Sequence, residues 1–417
     1  MEKTVIELFA GVGGFRVGLN SVVSYDERGK AIEKNNWNFV WASQWEPATN
    51  SQHAFECYVK RFDNPGPHSN EDITVVNKKE LPNHSLLVGG FPCQDYSVAR
   101  SKSKEKGIEG KKGVLFWQIV EILEAKNTPF VLLENVDRLL KSPARQRGRD
   151  FGIMLRTFSD LGYNLEWRII NAADYGCAQR RRRIFIFAWK KELKYNSRVI
   201  DKSIDDFIYV ESAFAKSFPI NIEMSSSNKP KSISLNEYAD TVVMTEKFSF
   251  LFENSGVMID GLVTTRKIEP LYENPITLAE IIDKSSDLSD YYLTSNQLEK
   301  FTYLKNGKRI DRIKPNGVPY VYSEGGISFP DRLDLPGRTM LTSEASINRS
   351  THVVKDMTSG NLRFITPIEA ERMQSFPDDW TNTGMPKSRR YFMMGNALVT
   401  KVINRIEPEL SKVLENE

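Results

Sequence analysis

Cysteine is scarce in this 417-residue chain: Cys57, Cys93 and Cys177 stand far apart with no paired spacing. That excludes a disulfide framework and a cysteine-rich zinc site, and it points to a reducing compartment. Long apolar runs are missing too, since no stretch of about 18 such residues occurs, and no leader pattern precedes the first apolar strand. A cytoplasmic protein with no membrane partner is the expectation. Nor is there an excess of one charge: 57 Lys+Arg against 54 Asp+Glu leaves +3. Any polyanion must therefore be met by a local patch rather than by bulk charge. Internal repeats are absent. What is present is 40% hydrophobic and 27% charged residues, enough for two or three domains with real cores.

The first half alternates strands and helices. Val5-Ile6-Glu7-Leu8-Phe9 reads as a strand that breaks into Ala10-Gly11-Val12-Gly13-Gly14-Phe15, with a helix to follow. Further strands fit residues 39–42, ending near Glu46; 86–88, ending at Gly89-Gly90; and 130–133, ending at Glu134. Phe116, Ile119, Val120 and Leu123 recur at helical spacing and fit a crossover helix between parallel strands. Strands near 166–170 and 184–188 extend the sheet. The fold class is α/β, a doubly wound and mostly parallel sheet whose ligands belong outside the carboxyl ends of its strands. After Trp189 the alternation fades into turn-rich pieces such as Lys314-Pro315-Asn316-Gly317, so a smaller irregular domain is expected over 190–337. Order returns at Thr366-Pro367-Ile368-Glu369, a capping box. A last helix from about Leu398 places Val399, Val402, Ile403 and Ile406 on one face.

Four places carry chemistry. The glycines at 11, 13 and 14 let backbone approach a nucleotide-like ligand, with Glu46 able to accept from ribose hydroxyls, although the spacing departs from G-x-G-x-x-G and a tight turn would use glycine equally well. Pro92-Cys93-Gln94 puts a thiol at a strand mouth, a nucleophile if exposed and a small core residue if not. The segment that follows holds Arg100, Lys102, Lys104, Lys106, Lys111 and Lys112 with Gly107 and Gly110, fit to close over a polyanion. Glu134-Asn135-Val136 puts a carboxylate at the same sheet edge, where partial burial would raise its pKa toward proton donation; a solvent-facing strand-end acid is the alternative. Gln179-Arg180-Arg181-Arg182-Arg183 runs into a strand, so Arg181 and Arg183 share a face, either serving the site or forming a nonspecific basic patch.

In order, Glu7-Leu8-Phe9-Ala10-Gly11-Val12-Gly13-Gly14-Phe15, Pro92-Cys93-Gln94, Glu134-Asn135-Val136, Gln179 with Arg181 and Arg183, Arg338-Thr339 and Gly395-Asn396-Ala397 resemble the motifs of the cytosine-5 DNA methyltransferases. The resemblance spans most of the chain. It implies S-adenosylmethionine as methyl donor, no metal, and a catalytic domain over 1–189 completed by 338–417, with 190–337 as the target-recognition domain. By the same resemblance Cys93 is the nucleophile at cytosine carbon 6, Glu134 binds the exocyclic amine and ring nitrogen 3, and Arg183 holds the base carbonyl with Arg181 in support. For the cofactor it implies Phe9 against adenine, Gly11, Val12 and Gly13 under the methionine part, Glu46 on the ribose, Asp72 and Ile73 at the adenine edge, and Pro92, Leu115, Asn396 and Ala397 as further contacts. The implied partner is double-stranded DNA, met by a monomer. Lys102, Lys104 and Lys106 are candidates for phosphate, and Arg266, Arg309, Arg312 and Lys314 for base reading. The run from Arg138 to Pro143 with Gln146 to Asp150 is similar to that of bacterial members that modify GGNCC-type sites. The rival readings are a transfer-RNA cytosine-5 methyltransferase, a catalytically silent DNA-binding relative, and a nicotinamide oxidoreductase; the last accounts for neither the cysteine nor the arginines.

Overall fold

Unbroken apolar runs make the centre of the molecule, which a computed structural model describes over residues 1–47, 49–62, 68–91, 114–283 and 288–417. β1 (Thr4–Leu8), β2 (Asn38–Ser43), β3 (Leu86–Gly90) and β4 (Phe130–Val136) lie parallel in the order β2-β1-β3-β4. Strands covered on both faces need apolar residues at consecutive positions. Leu86, Leu87 and Val88, like Phe130, Val131, Leu132 and Leu133, are fully buried. The helices packed around them include α1 (Gly14–Leu19), α2 (His53–Arg61), α3 (Val114–Lys126), α4 (Arg149–Asp160), α6 (Pro367–Met373), α7 (Lys387–Asn396) and α8 (Thr400–Glu415), whereas α5 (Ser295–Lys305) belongs to the smaller pieces past residue 288.

Alternate strand residues feed opposite layers. Val5, Val88 and Leu132 join a core with Phe15 and Leu19 of α1 and Val402, Ile403 and Ile406 of α8. Ile6, Leu87 and Val131 join a second core under Phe116 and Ile119 of α3 and Phe151 of α4. The expected face of the last helix is thus the buried one. α1 and α8 approach so closely that a Cβ on Gly18 would stand 2.5 Å from Ile403 Cβ, so only glycine fits there. The capping box at Thr366 forms, with Pro367 opening α6 and Glu369 reaching back.

β5 (Tyr163–Asn171), β6 (Arg182–Lys190), β7 (Lys231–Ser234), β8 (Ser255–Ile259) and β9 (Leu262–Arg266) continue the sheet in the order β4-β6-β5-β8-β9-β7, each neighbour antiparallel. The composition shift after residue 189 therefore does not mark the end of the sheet. Three strands from that stretch complete it, and Met244, Phe248 and Val263 share the α3–α4 core. The last two, LVTTR and, at the edge, KSIS, are short and half polar, and such strands lack the apolar signature of the buried ones.

Past residue 288 the chain forms smaller pieces. β10 (Lys308–Ile313) and β11 (Pro319–Glu324) make a two-stranded antiparallel sheet of their own, as do β12 (Val353–Lys355) and β13 (Leu362–Phe364). Phe301 of α5 packs between Phe329 and Phe364. Beside it Asp331 takes Lys305 and the fork of Arg338, which also donates to the Ser350 and Thr351 carbonyls.

Candidate active site

β1 lies between β2 and β3, so the chain winds away in both directions from it, and a crevice opens at the carboxyl ends of these strands. A cavity of about 510 Å³ occupies that crevice, within the usual range for a small-molecule site. Its wall includes Phe9, Gly11, Val12 and Glu46 from the first two strand ends, Gly90 and Phe91 from the third, Glu134 from β4, Arg183 from β6 and Arg181 just before it. α7 and the residues after it add Arg389, Phe392, Asn396 and Ala397.

The glycine loop is shaped by two different needs. Gly13 has φ 87°, and a Cβ there would meet the Phe62 ring at 2.4 Å. Gly11 has φ 55°, and a Cβ there would meet nothing within 4 Å, so its bare backbone leaves room on the cavity side. Phe9, at φ 54°, is a left-handed residue without glycine's freedom, a conformation that functional loops retain at a cost. The Gly11 amide donates to Gln44 Oε1 at 2.7 Å, locking loop to β2's end.

Beneath the loop lies Glu7, fully buried, accepting from the Phe15 amide at 3.1 Å and from the Tyr58 hydroxyl at 3.2 Å. Burial pushes its carboxyl up to about 8 despite those donors and Arg16 nearby. At neutral pH it is mainly protonated, and it braces the first turn of α1 without adding charge to the cavity. Sequence reasoning saw Glu7 as a strand residue and missed its place in the cavity wall; an acid inside an apolar strand was the available signal.

Glu46 follows β2, and its side chain reaches the first turn of α2, where Oε2 accepts from the Ala54 amide at 3.2 Å, while Oε1 is ion-paired to Arg389. Gln52 fixes its backbone from both sides, accepting from the Glu46 amide and donating to its carbonyl. Arg389 stacks its guanidinium 4.4 Å from the Phe392 ring, and its Nε is buried without a hydrogen-bond partner among the described residues. No sequence motif singled out Arg389, which reaches Glu46 only through the tertiary fold.

On the opposite wall Arg183 Nε meets Glu134 Oε1 at 2.7 Å, with both side chains largely buried. Neighbouring strands bring them together, since Val136 pairs with Arg183 across β4 and β6. Gly90 lies opposite Glu134 on β3, and a Cβ there would come within 3.2 Å of Oε2. Asn135 donates to the Phe91 carbonyl at 2.8 Å and so fixes the residue that leads into Pro92 and Cys93. Arg181, on the same side, is buried; its Nη1 donates to the Met340 carbonyl at 3.1 Å and Nη2 to the Gly395 carbonyl at 2.9 Å. Burial pushes this guanidinium down to about 9. Gln179 accepts from the Met340 amide at 3.0 Å. The arginine run therefore divides as the strand alternation requires: Arg181 and Arg183 point inward, while Arg180 and Arg182 are exposed and Arg182 pairs with Asp137.

Pro92, Cys93, Lys102, Lys104 and Lys106 fall outside the described residues. Asp72, Ile73 and Leu115 are not part of the cavity wall: Asp72 accepts from the Thr74 amide of its own turn, and Ile73 and Leu115 pack into or against the α3–α4 core. Gly13 shapes the loop from behind the wall. Arg266 is largely buried on β9 and ion-paired to Asp205, which removes it from the candidates for reading bases. Arg309, Arg312 and Lys314 are exposed on β10 and the turn after it. Gln146 and Arg149 are turned inward, toward the 245–248 carbonyls and Asp150.

The donor set fits a nucleoside joined to an amino acid: an aromatic and a bare glycine backbone on one side, a carboxylate for hydroxyls, and an arginine with a buried unpaired N–H at its edge. The family model of C-5 cytosine-specific DNA methylases matches residues 3–412. Type II methyltransferase M.Sau3AI of Staphylococcus aureus is 50% identical over 98% of this chain and 95% of its own. M.NlaIV of Neisseria lactamica is 28% identical over 98% and 99%. Among solved structures, a DNMT2 variant of Spodoptera frugiperda superposes with a TM-score of 0.58 at 14% identity, over 99% of each chain. The Dnmt2 methyltransferase of S. pombe does so with 0.57 at 16%, over 99% and 98%; these two likenesses concern the fold. With the glycine loop, the Glu134–Arg183 pair and a matching family model spanning nearly all of it, the chain belongs to the C-5 cytosine-specific DNA methylase family and is a DNA cytosine-5 methyltransferase.

Proposed function

We propose that the chain methylates carbon 5 of a cytosine flipped out of double-stranded DNA, through a transient bond from Cys93, and that it acts as a monomer protecting sites from a partner restriction enzyme. The observation that carries this reading is that one cavity joins the glycine loop to the Glu134–Arg183 pair. Cofactor at one wall and base at the other would then lie in contact. S-adenosylmethionine, when bound, supplies the methyl group as a sulfonium. Phe9, Gly11, Val12, Glu46, Asn396 and Ala397 are the residues that would hold it.

Carbon 5 of cytosine is a weak nucleophile. A thiolate adding to carbon 6 pushes electron density onto carbon 5, and once carbon 5 carries the methyl group the adduct would collapse as carbon 5 loses its proton and the carbon–sulfur bond breaks. Cys57 and Cys177 are unsuited to this, because burial pushes their thiols up to about 12 and about 11. Cys93 follows Phe91, a cavity residue, by two positions. Glu134, with Oε2 toward Gly90, meets the exocyclic amine and ring nitrogen 3, and Arg183 meets the base carbonyl while holding Glu134 in place. Arg181 acts through others, tying the 338–340 segment and the end of α7 to the strand that bears Arg183. A base stacked in a duplex cannot enter so recessed a cavity, which calls for flipping. The reading invokes no metal. No helix among the described residues is long and apolar enough to cross a membrane, in keeping with a cytoplasmic enzyme. Residues 1–189 and 338–417 carry the chemistry, and recognition belongs to 190–337, chiefly its part beyond 288. Lys102, Lys104 and Lys106 supply phosphate contacts beside the nucleophile.

The test is a target duplex carrying 5-fluorocytosine, whose fluorine cannot leave as a proton. The wild-type chain should form a denaturation-resistant adduct and the Cys93→Ser chain none. An equal yield from the variant would refute Cys93 as nucleophile.

A further inference from the structure

The β10–β11 ribbon stands apart from the nine-stranded sheet, and a lone two-stranded hairpin is marginal in water. Its root is held by Arg349, which pairs with Glu324 at 2.9 Å and donates to the Leu304 carbonyl at 2.8 Å and to the Gly325 carbonyl. Its outer end closes with a turn in which the Gly317 amide donates to the Lys314 carbonyl.

The two faces of the ribbon differ in chemistry. Cross-strand pairing puts Lys308, Ile310 and Arg312 on one face with Tyr320, Tyr322 and Glu324, and Arg309, Asp311 and Ile313 on the other with Pro319, Val321 and Ser323. On the first face the cations lie near aromatic rings: Lys308 is 4.1 Å from the Tyr303 centroid and Arg312 4.2 Å from that of Tyr322. The second face is exposed throughout, with Ile313 at 74% and Val321 at 45%. Its Arg309 and Asp311 have no side-chain hydrogen bond, ion pair or ring partner among the described residues.

We infer that this second face enters the DNA major groove, with Arg309 reading a guanine and Asp311 accepting from the amine of a cytosine nearby. The inference rests on the functional reading above and assigns the base-reading element within it. The major groove admits a two-stranded ribbon. Four cations against two acids over 308–324 give the ribbon the sign that phosphates attract. An unpaired acid among those cations argues against simple phosphate binding, because backbone oxygens would repel it; a base amine would not. Residues two apart on a strand are separated by about 6.8 Å, about two base-pair steps, so the two readers address nearby positions. Ile313 and Val321 supply the apolar surface that a thymine methyl or a groove wall accepts. The cations on the opposite face are held over rings and left for phosphates.

The experiment is base-resolution sequencing of a randomised duplex pool after methylation by wild-type, Arg309→Ala, Arg309→Lys, Asp311→Ala and Arg312→Ala chains, with binding of S-adenosylhomocysteine as the folding check. Both Arg309 variants should lose discrimination at one position by about 5- to 150-fold, since lysine keeps the charge but not the fork. Asp311→Ala should relax a second position within about two base pairs. Arg312→Ala should weaken all sequences alike and flatten the salt dependence. Retained cofactor binding with unchanged site preference in the Arg309 and Asp311 chains would overturn the assignment, and so would uniform weakening. A wild-type chain that left carbon 5 unmethylated would bring down the functional reading itself.

Discussion

Replacing Glu7 by glutamine tests the claim that the acid under the glycine loop is neutral when the protein is folded. In the unfolded chain this carboxyl titrates near 4.5, and burial raises it to about 8 in the folded one. A group held protonated by folding stabilises fully below the lower value, and that contribution falls as pH rises toward the upper one, levelling off above it. At about 1.4 kcal/mol per pH unit, the interval amounts to about 5 kcal/mol, a large share of the 5–15 kcal/mol typical of folded domains. Glutamine mimics the protonated acid: its oxygen can accept from the Phe15 amide, and its nitrogen can face the Tyr58 hydroxyl. The Glu7→Gln chain should therefore match wild type in urea unfolding near pH 5 and exceed it by several kcal/mol near pH 9, with cofactor affinity retained. Parallel stability profiles from pH 5 to 9 would refute the reasoning, because the wild-type acid would then titrate alike in both states.

Two further outcomes follow from the geometry of the same cavity. Glu134→Gln should lower turnover by about 10²–10⁴-fold in single-turnover assays while DNA affinity stays nearly constant; unchanged turnover would leave Glu134 a structural strand end. The two loop glycines should separate cleanly: Gly13→Ala drives a methyl into Phe62 at a left-handed φ and should lower stability by about 2–5 kcal/mol, whereas Gly11→Ala should cost only about 1–2 kcal/mol and act mainly on cofactor affinity by titration. A Gly13 variant as stable as the Gly11 variant would contradict the packing described.

Much of the chemistry was legible because strand ends carry it. Doubly buried parallel strands read as continuous apolar runs, and the residues that end them, Gly11, Glu46, Gly90 and Glu134, face the crevice by topology alone. The inward pairing of Arg181 with Arg183 followed from strand alternation. Arg389 was not legible, because its role depends on α7 meeting the start of α2 across more than 300 residues of chain. Nor was the extent of the sheet, since β7 at its edge and β9 beside it are short strands with polar faces. Asp72, Ile73 and Leu115, suggested by resemblance, and Arg266, suggested by its charge, lie outside the cavity wall formed by the described residues, and their contacts depend on tertiary packing that residue type alone does not encode.

The contact between α1 and α8 governs when the cavity can exist during synthesis. The helix that follows the glycine loop is among the first elements to leave the ribosome, yet its Gly18 face is covered by Ile403, and Asn396 and Ala397 complete the cavity wall. Until those late residues emerge, a nascent chain holds an open crevice with one side missing and an apolar helix face uncovered. Such long-range closure is slow and leaves intermediates that need protection. Competence to bind cofactor thus arrives in a single late step, and a chain cut short before residue 396 is expected to lack it however well its first sheet has formed.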